Sequence, residues 1–336
     1  MNYQELTAYV WMARGDLMDK YGIESLDTFE GAEQYMQAIV DNEPSMIPLD
    51  VGSDYDRQFV FDLLWNVESN AKGDDNYYVL PPVNLFTCVQ ENDPEANVMS
   101  TLDADIFMNT LNTVKDWRDR GFWSRNAVVN TQNNTESFQA GKSALAVMNI
   151  NTAKSLYATL QAEHPEWDVR VFDAMNGAPA IIQSYLANGM NIFSKSKNPE
   201  RALMALDYLR NDEICHNLFC YGIEGVHWEA VGEHGLKSLP DSSNYAYDSN
   251  CNWGVRNDKF WRTVEGGIPN SEELTETWKE TARSGRYITF VFDDSEVKNE
   301  VAAISEIYNS DYKLLQLGFT DDPAGDVEKL KAKLDA

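Results

Sequence analysis

Carboxylates and aromatic rings are the side chains of this chain best suited to binding or acting on a polar ligand. Asp and Glu number 54 against four His, so acid–base or hydrogen-bonding chemistry would rest mainly on carboxylates. The 9 Trp, 16 Tyr and 14 Phe provide enough rings for a few to line a cleft, although core packing accounts for most of them. A sugar has an apolar face that stacks on such rings and hydroxyl groups that hydrogen-bond to Asp, Asn and Arg. These residue types therefore suit a carbohydrate ligand.

The motifs that position catalytic groups in common enzyme classes are missing from the sequence. Neither an H-E-x-x-H zinc motif nor a G-x-S-x-G nucleophile elbow occurs. The segment Gly141-Lys142-Ser143 ends like a phosphate-binding loop but lacks the first glycine at the required spacing. A glycosidase needs two carboxylates at a set separation, and no pair stands out among so many. A carbohydrate-active enzyme therefore stays open as an alternative without a motif to support it.

The charge balance and the cysteines exclude several partners and cofactors. A formal net charge of −27 repels phosphate backbones and anionic lipid surfaces, so no nucleic acid is expected as a partner. The acidic run Asp293-Asp294-Ser295-Glu296 lacks the spacing of a calcium loop and is predicted to charge a helix N-terminus. None of the four cysteines forms a C-x-x-C pair, so zinc-ribbon and thioredoxin signals are absent. We expect neither a metal nor a cofactor.

Short strands and helices that alternate along the chain must position these side chains. Hydrophobic periodicity and capping residues predict strands over 3–12, 46–49, 143–149, 167–172 and 178–183. They predict helices over 14–21, 29–40, 55–65, 103–120, 136–140, 152–162, 199–209, 213–221, 259–265, 272–284, 296–308 and 326–335. Thr135 is expected to cap the helix at 136–140. This mixture indicates an α/β fold.

Three segments carry a family resemblance. Phe138-Gln-Ala-Gly-Lys-Ser-Ala-Leu-Ala-Val147 has the pattern F-x-x-G-K-x-A followed by apolar residues. Ser196-Lys-Asn-Pro-Glu-Arg-Ala202 opens a helix with proline in its first turn. The third segment is Tyr221-Gly-Ile-Glu-Gly-Val-His-Trp228. Together they resemble the family 1 extracellular solute-binding proteins, the family that includes maltose-binding protein, and the third is similar to a stretch of a Gram-positive lipoprotein subfamily.

Two more regions resemble that subfamily. One is Tyr287-Ile-Thr-Phe-Val-Phe-Asp293 with Val297-Lys-Asn-Glu-Val-Ala-Ala303, and the other is Tyr3-Gln-Glu5 followed by Arg14-Gly-Asp-Leu-Met-Asp-Lys-Tyr-Gly22. Five regions in the family's order span nearly the whole chain. The resemblance implies a periplasmic-binding-protein-like fold of type II, with two lobes joined by a hinge. It also implies the substrate-binding component of an ABC importer, which would deliver a sugar or oligosaccharide to permease subunits from the extracellular face of the cell membrane.

The resemblance departs from the family at the start of the chain. Family members begin with a lipoprotein signal and a long segment that builds the first lobe's sheet, whereas Tyr3 already matches a later part. Met1 is therefore expected to be an internal residue of a longer, lipid-anchored protein, whether a shortened form, proteolysis or a misassigned start codon is the cause. Residues 1–183 and 246–336 would form the second lobe, and 184–245 the helical part of an incomplete first lobe. Uncovered apolar helix faces, and weak or no ligand binding by this chain, would follow.

The resemblance and the predicted strand ends give a set of candidate ligand-binding residues. They are Tyr3, Glu5, Asp54, Tyr55, Asn149, Asn151, Trp253, Arg256 and Asn257. Each also has a structural alternative: Asp54 is an equally good helix cap, Asn149 and Asn151 suit caps or turns, and the aromatic rings could be core residues. Trp228 is predicted to serve packing.

A solute-binding protein of this kind would close around its ligand by a hinge motion and would make or break no bond. Two alternatives remain open: a carbohydrate-active enzyme such as a glycosidase, and a receptor for a peptide or another non-sugar solute. The sequence does not name the ligand, because specificity depends on side-chain geometry in the crevice.

Overall fold

Strands and helices alternate along the chain in a computed structural model that describes residues 6–52, 54–80, 86–184, 190–245 and 254–336. The strands are β1 (Leu6–Thr7), β2 (Tyr9–Ala13), β3 (Ile47–Leu49), β4 (Tyr77–Val79), β5 (Thr87–Gln90), β6 (Val98–Ser100), β7 (Ser143–Asn149), β8 (Arg170–Asp173), β9 (Ile181–Ile182), β10 (Trp228–Val231), β11 (Gly235–Ser238), β12 (Thr263–Val264) and β13 (Arg283–Ser284). The helices are α1 (Gly15–Tyr21), α2 (Phe29–Asn42), α3 (Asp54–Ala71), α4 (Phe107–Asp119), α5 (Asn134–Gln139), α6 (Ile150–Glu163), α7 (Pro199–Asn211), α8 (Glu213–Tyr221), α9 (Ser271–Thr281), α10 (Lys298–Ile307), α11 (Lys313–Gln316) and α12 (Pro323–Leu334). The predicted α/β class is confirmed.

The chain divides into two compact units. The larger unit comprises Thr7–Ile181 and Glu273–Ala336, and the smaller unit comprises Leu6 with Ile182–Glu272. The sequence predicts a boundary after residue 183 and a return to the second lobe at 246. In the structure, however, β12 pairs with β11 inside the smaller unit, so the chain returns to the larger unit only after Glu272. The assignment of lobes in a complete protein stays a prediction.

A four-stranded sheet in the order β3-β7-β2-β8 forms the centre of the larger unit. Strand β2 runs antiparallel to both neighbours, with Tyr9 opposite Asn149 and Val10 opposite Asp173, and β7 runs parallel to β3. All five residues of β2 are buried, as expected for a sheet covered on both faces. The register brings the ends of β7 and β8 and the start of β2 together, whereas the shorter β3 ends at Leu49, opposite Leu145. We call the end of the sheet marked by Asn149, Asp173 and Tyr9 the carboxyl edge.

Helix α2 covers one face of this sheet because its apolar residues recur at helical spacing. Thr28 caps the helix by accepting a hydrogen bond from the Gly31 amide at 3.2 Å, and Met36 and Ile39 are fully buried. Tyr35 is also buried and donates through its hydroxyl to the Ala144 carbonyl of β7 at 3.2 Å. Each such buried side chain contributes about 1.5–3 kcal/mol to the hydrophobic free energy of folding.

An aromatic cluster joins the C-terminal part of the larger unit to helices α3 and α4. Phe61 of α3 and Phe107 of α4 both contact Tyr312, whose ring stacks on that of Phe107 at 6.2 Å. Tyr312 ends a π-helical turn, Tyr308–Tyr312, between α10 and α11. Burial raises the pKa of Tyr312 well above its ordinary value, so its hydroxyl stays protonated. This packing fixes helix α3, which begins at the carboxyl edge. A separate antiparallel sheet, β4-β5-β6, completes the unit.

The smaller unit combines helices α7 and α8 with the sheet β10-β11-β12. Its core includes Tyr221, Leu236 and Trp228, and the Trp228 indole donates to the Gly222 carbonyl at 3.1 Å. The structure thus gives Trp228 the packing role that the sequence predicts. Helix α7 carries no fully buried residue, and Met204 on it is 70% exposed.

Two local predictions are wrong for a physical reason. Residues 259–265, predicted as a helix, contain β12, because pairing with Gly235 and Leu236 overrides the local pattern. The helix predicted at 136–140 begins earlier: its cap is Asn133, not Thr135, and Asn133 accepts from the Glu136 amide at 2.8 Å. Within the described part of the chain, no helix is long and apolar enough to cross a membrane.

Candidate functional site

The carboxyl edge is the place in the larger unit where polar side chains follow the ends of adjacent strands. In open α/β sheets, ligands bind outside the carboxyl ends of the strands. Helix α6 begins at Ile150, directly after β7, and helix α3 begins at Asp54, shortly after β3. Two helix starts and the end of β8 therefore surround one edge of the sheet, where four of the nine predicted residues lie.

Asn149 ends β7 and caps helix α6. Its Oδ1 accepts a hydrogen bond from the Thr152 amide at 2.9 Å, which is the role of an N-cap asparagine. The side chain is half-buried, and its Nδ2 group donates to no partner in the described part of the chain. Asn151 is half-buried in the first turn of α6, where its carbonyl accepts from the Ser155 hydroxyl at 3.3 Å. Asn149 thus combines a structural acceptor with a donor that a ligand hydroxyl could use.

The structure places five other predicted residues less fully. The backbone of Asp54 and Tyr55 forms the first turn of α3. Tyr3, Glu5 and Trp253 lie outside the described residues. Their proposed roles remain predictions.

Arg256 and Asn257 belong to the smaller unit and have structural partners. The Arg256 guanidinium lies 4.2 Å above the Trp261 ring, and its Nε is 3.0 Å from the Asp258 carboxylate. Asn257 donates through Nδ2 to the Arg210 carbonyl at 2.9 Å, near the end of α7. These contacts brace the loop against its own unit, and a ligand-binding role for either residue stays a prediction.

A buried polar network that the sequence analysis missed supports the carboxyl edge. Asp56, in the first turn of α3, is 1% exposed and accepts from both the backbone amide and the side-chain amide of Asn134 at 2.7 Å each. The Asn134 Oδ1 in turn accepts from the Val147 amide of β7 at 3.0 Å. A buried carboxylate is costly without such donors. The network therefore ties the start of α3 to the strand that ends in Asn149.

A second buried carboxylate braces the loop between β3 and α3. Asp50 is 4% exposed and accepts from the Asn130 side-chain amide at 2.9 Å and from the Ser137 hydroxyl. Both carboxylates serve the architecture, because their oxygen atoms are occupied by donors from a neighbouring loop and helix. Neither is placed as a free general acid or base.

Asp173 ends β8 and is another residue that the sequence analysis did not single out. Its Oδ1 accepts from the Met175 amide at 2.9 Å and from the Trp278 indole at 3.2 Å. Burial raises the pKa of the Asp173 carboxyl, and the nearby Asp27 carboxylate raises it further. Tyr9, at the same edge, packs its ring against Phe59 in an edge-on contact at 4.3 Å.

One simple signal would have identified Asp50 and Asp173. Each directly follows or ends a strand that the sequence predicts, and polar residues at strand ends are the usual ligand-binding positions. Asp56 offers no such signal, because its partner Asn134 is distant in sequence.

The chemistry of this edge suits non-covalent binding. It offers an amide donor and carboxylate acceptors, the groups that hydrogen-bond to hydroxyls. Among the described residues, no group of His, Cys, Asp and Glu side chains is arranged to hold a metal ion. A separate cleft of about 350 Å³, lined by Phe86, Phe290, Phe292 and Ile304, is almost wholly apolar and so lacks the polar groups that a sugar needs.

Comparison with known proteins relates both the sequence and the fold to others. Residues 286–336 match a domain of unknown function, DUF3502. No curated protein matches the chain in sequence. Three solved structures are similar over nearly its whole length, with low sequence identity.

The first is an N-glycan transport solute-binding protein (NgtS) from Streptococcus pneumoniae, with a TM-score of 0.72 and 18% identity, covering 98% of this chain and 69% of that one. The second is the alginate-binding protein AlgQ2 without calcium ion, with a TM-score of 0.60 and 14% identity, covering 100% and 70%. The third is an ABC substrate-binding protein from Listeria monocytogenes in complex with cycloalternan, with a TM-score of 0.53 and 13% identity, covering 99% and 71%. The chain therefore shares the fold of these three binding proteins.

Proposed function

We propose that the chain acts as the substrate-binding component of an ABC importer and holds a sugar or oligosaccharide non-covalently. The observation that carries this proposal is the carboxyl edge, where Asn149 at the end of β7 and Asp173 at the end of β8 flank the start of β2, and Phe59 of α3 packs on Tyr9. The names of the three similar structures add support, because each includes a saccharide or a saccharide ligand.

A binding role explains the state of the acidic residues better than a catalytic one. Glycosidases need one carboxylic acid and one carboxylate on either side of the scissile bond. Asp50 and Asp56 are instead buried, and each accepts two hydrogen bonds, from Asn130 and Ser137 and from Asn134 respectively. Binding then requires only donors and acceptors matched to hydroxyls, with aromatic rings for the apolar face of the sugar.

The wider role follows from the proposal. The ligand would stabilise a closed form by contacts to two lobes, and permease subunits would recognise that form. The protein would work at the extracellular face of the membrane, held by a lipid anchor. A peptide or other non-sugar solute is the remaining alternative.

The proposal is tested by incubating the chain on a glycan array and, in parallel, on a peptide library. We expect saturable binding to one class of glycan, no binding to peptides, and recovery of the glycan intact after prolonged incubation. Cleaved glycan would support the enzyme alternative instead. Binding confined to peptides would support the non-sugar receptor.

A further inference from the structure

Charge is segregated between the two ends of the central sheet. The end opposite the carboxyl edge carries three cations: Arg14 directly after β2, Lys142 directly before β7, and Arg170 at the start of β8. The carboxyl edge carries Asp173 at the end of β8, and the Asp27 carboxylate accepts from its backbone amide. Strand β8 therefore has a cation at its start and a carboxylate at its end.

The cations at the far end cannot serve a ligand at the carboxyl edge. Arg14 is 2.6 Å from the Asp16 carboxylate, and Arg170 is 2.8 Å from the Asp19 carboxylate. A five-residue strand such as β2 spans about 13 Å, more than the screening length of about 8–10 Å in physiological salt. The neighbouring carboxylates and the distance therefore both reduce the attraction of Arg14 and Arg170 for a ligand at the carboxyl edge.

The cations nearest the carboxyl edge also interact with other groups of the protein. Arg57, in the first turn of α3, is 1% exposed, and its Nε donates to the Gln316 side chain at 3.1 Å. Lys154, one turn into α6, is half-buried and already makes an interaction of its own. A ligand carboxylate could therefore pair with the buried Arg57 guanidinium only if its contact with Gln316 rearranged.

The carboxylates of Asp173 and Asp27 lie close together, so their negative charges add at this edge. The Asp173 amide donates to the Asp27 carboxylate at 3.0 Å, which brings the two acidic residues together at the end of β8. A ligand carboxylate placed at this edge would meet negative charge, whereas a hydroxyl would meet hydrogen-bond acceptors.

We propose that the carboxyl edge selects uncharged oligosaccharides and rejects saccharides that carry carboxylates. The carboxylates at the edge would repel a ligand that carries a carboxylate, and such repulsion is a common basis of binding specificity. This inference rests on the proposed function, because it assigns the ligand class of the same site.

The test uses pairs of probes that differ only at C6: β-1,4-mannopentaose with β-1,4-pentamannuronate, and cellopentaose with pentaglucuronate of the same linkage. They are placed on one array beside a broad set of neutral glycans and their C6-oxidised forms. We expect every neutral glycan that binds to be preferred over its oxidised form by about tenfold or more, because like charges suppress the wrong ligand. An oxidised form bound as tightly as its neutral parent would overturn the inference and leave the proposed function standing. No binding to any glycan would overturn the proposed function itself.

Asp173→Asn is the variant that tests the cause. We expect it to reduce the preference for neutral over oxidised glycans several-fold, measured as the ratio of the two affinities, because the amide removes the charge but keeps an acceptor for Trp278. Asp41→Asn, on the exposed side of α2, is the control and should leave the preference unchanged. Should Asp173→Asn fold poorly, Asp27→Asn removes the neighbouring charge from an exposed position. If the folded Asp173→Asn and Asp27→Asn variants kept the preference for neutral over oxidised glycans, these two charges would not be its cause.

Discussion

Asn134 donates both its backbone amide and its side-chain amide to the Asp56 carboxylate, at 2.7 Å each. The same asparagine accepts from the Val147 amide of β7 through its Oδ1 at 3.0 Å. One side chain therefore links the start of helix α3 with the strand that ends in Asn149. Because both elements lead to the carboxyl edge, this contact sets the geometry of the candidate site from within the protein.

Replacing Asp56 with alanine should destabilise the larger unit strongly. The substitution removes two hydrogen bonds to a buried charged group and leaves the Asn134 donors unsatisfied, at a cost of about 3 kcal/mol in the free energy of unfolding. Urea denaturation followed by circular dichroism measures the change. Asp41→Ala is the matched control, since Asp41 is exposed and its loss should cost almost nothing. Equal losses for the two variants would contradict the role given to Asp56.

Asn149 should show a structural and a binding role that substitutions can separate. Asn149→Ala removes the cap of α6 and should cost about 1 kcal/mol of stability, whereas Asn149→Ser keeps an oxygen acceptor and should restore most of it. Serine lacks the Nδ2 donor, so oligosaccharide affinity should stay reduced in both variants. Thermal unfolding and calorimetric titration measure the two effects. If serine restored affinity together with stability, capping alone would explain the residue.

Gly222 and Gly225 should differ in their tolerance of a methyl group. Gly222 has φ +79° and ψ −155°, a conformation open in practice only to glycine, and an added Cβ would lie 2.4 Å from the His227 ring. Gly225 has φ +80° but no atom within 4 Å of such a Cβ. We expect Gly222→Ala to lose about 3 kcal/mol and Gly225→Ala about 1 kcal/mol of unfolding free energy. A denaturant titration of both variants shows which substitution loses more unfolding free energy.

Acid should weaken the smaller unit through His216. Burial lowers the pKa of His216, which is packed near Tyr221 and Phe260, so the folded state holds it neutral. The unfolded chain takes up a proton below about pH 6.5, and the folded chain does so only at lower pH. The stability from this group is therefore complete above that pH and is lost as the pH falls below it toward the folded pKa.

Hydrogen exchange of the amides of α8, followed as the pH is lowered from neutrality, measures this loss. His216→Gln should flatten the dependence, whereas His234→Gln, at an exposed position, should not. A slope that survived His216→Gln would place its origin in another group.

Local sequence patterns predicted the elements that position the site better than they predicted its contacts. The strand that ends at Asn149 was predicted with its observed bounds, because its apolar run is followed directly by polar residues. The next helix was expected to begin at Thr152 but begins at Ile150, since Asn149 itself is the cap. Bonds such as that between Asp56 and Asn134 join distant residues and follow from the fold, so no local pattern reveals them.

The most direct test of the account is a titration of the chain with a neutral oligosaccharide that binds on the array, followed by saturation-transfer NMR, which detects weak binding. We expect saturable transfer to intact sugar, weakened by Asn149→Ser and unchanged by Asp41→Asn. Hydrolysis of the sugar, or equal binding by the unsubstituted chain and Asn149→Ser, would contradict the claim that the carboxyl edge holds the ligand without chemistry.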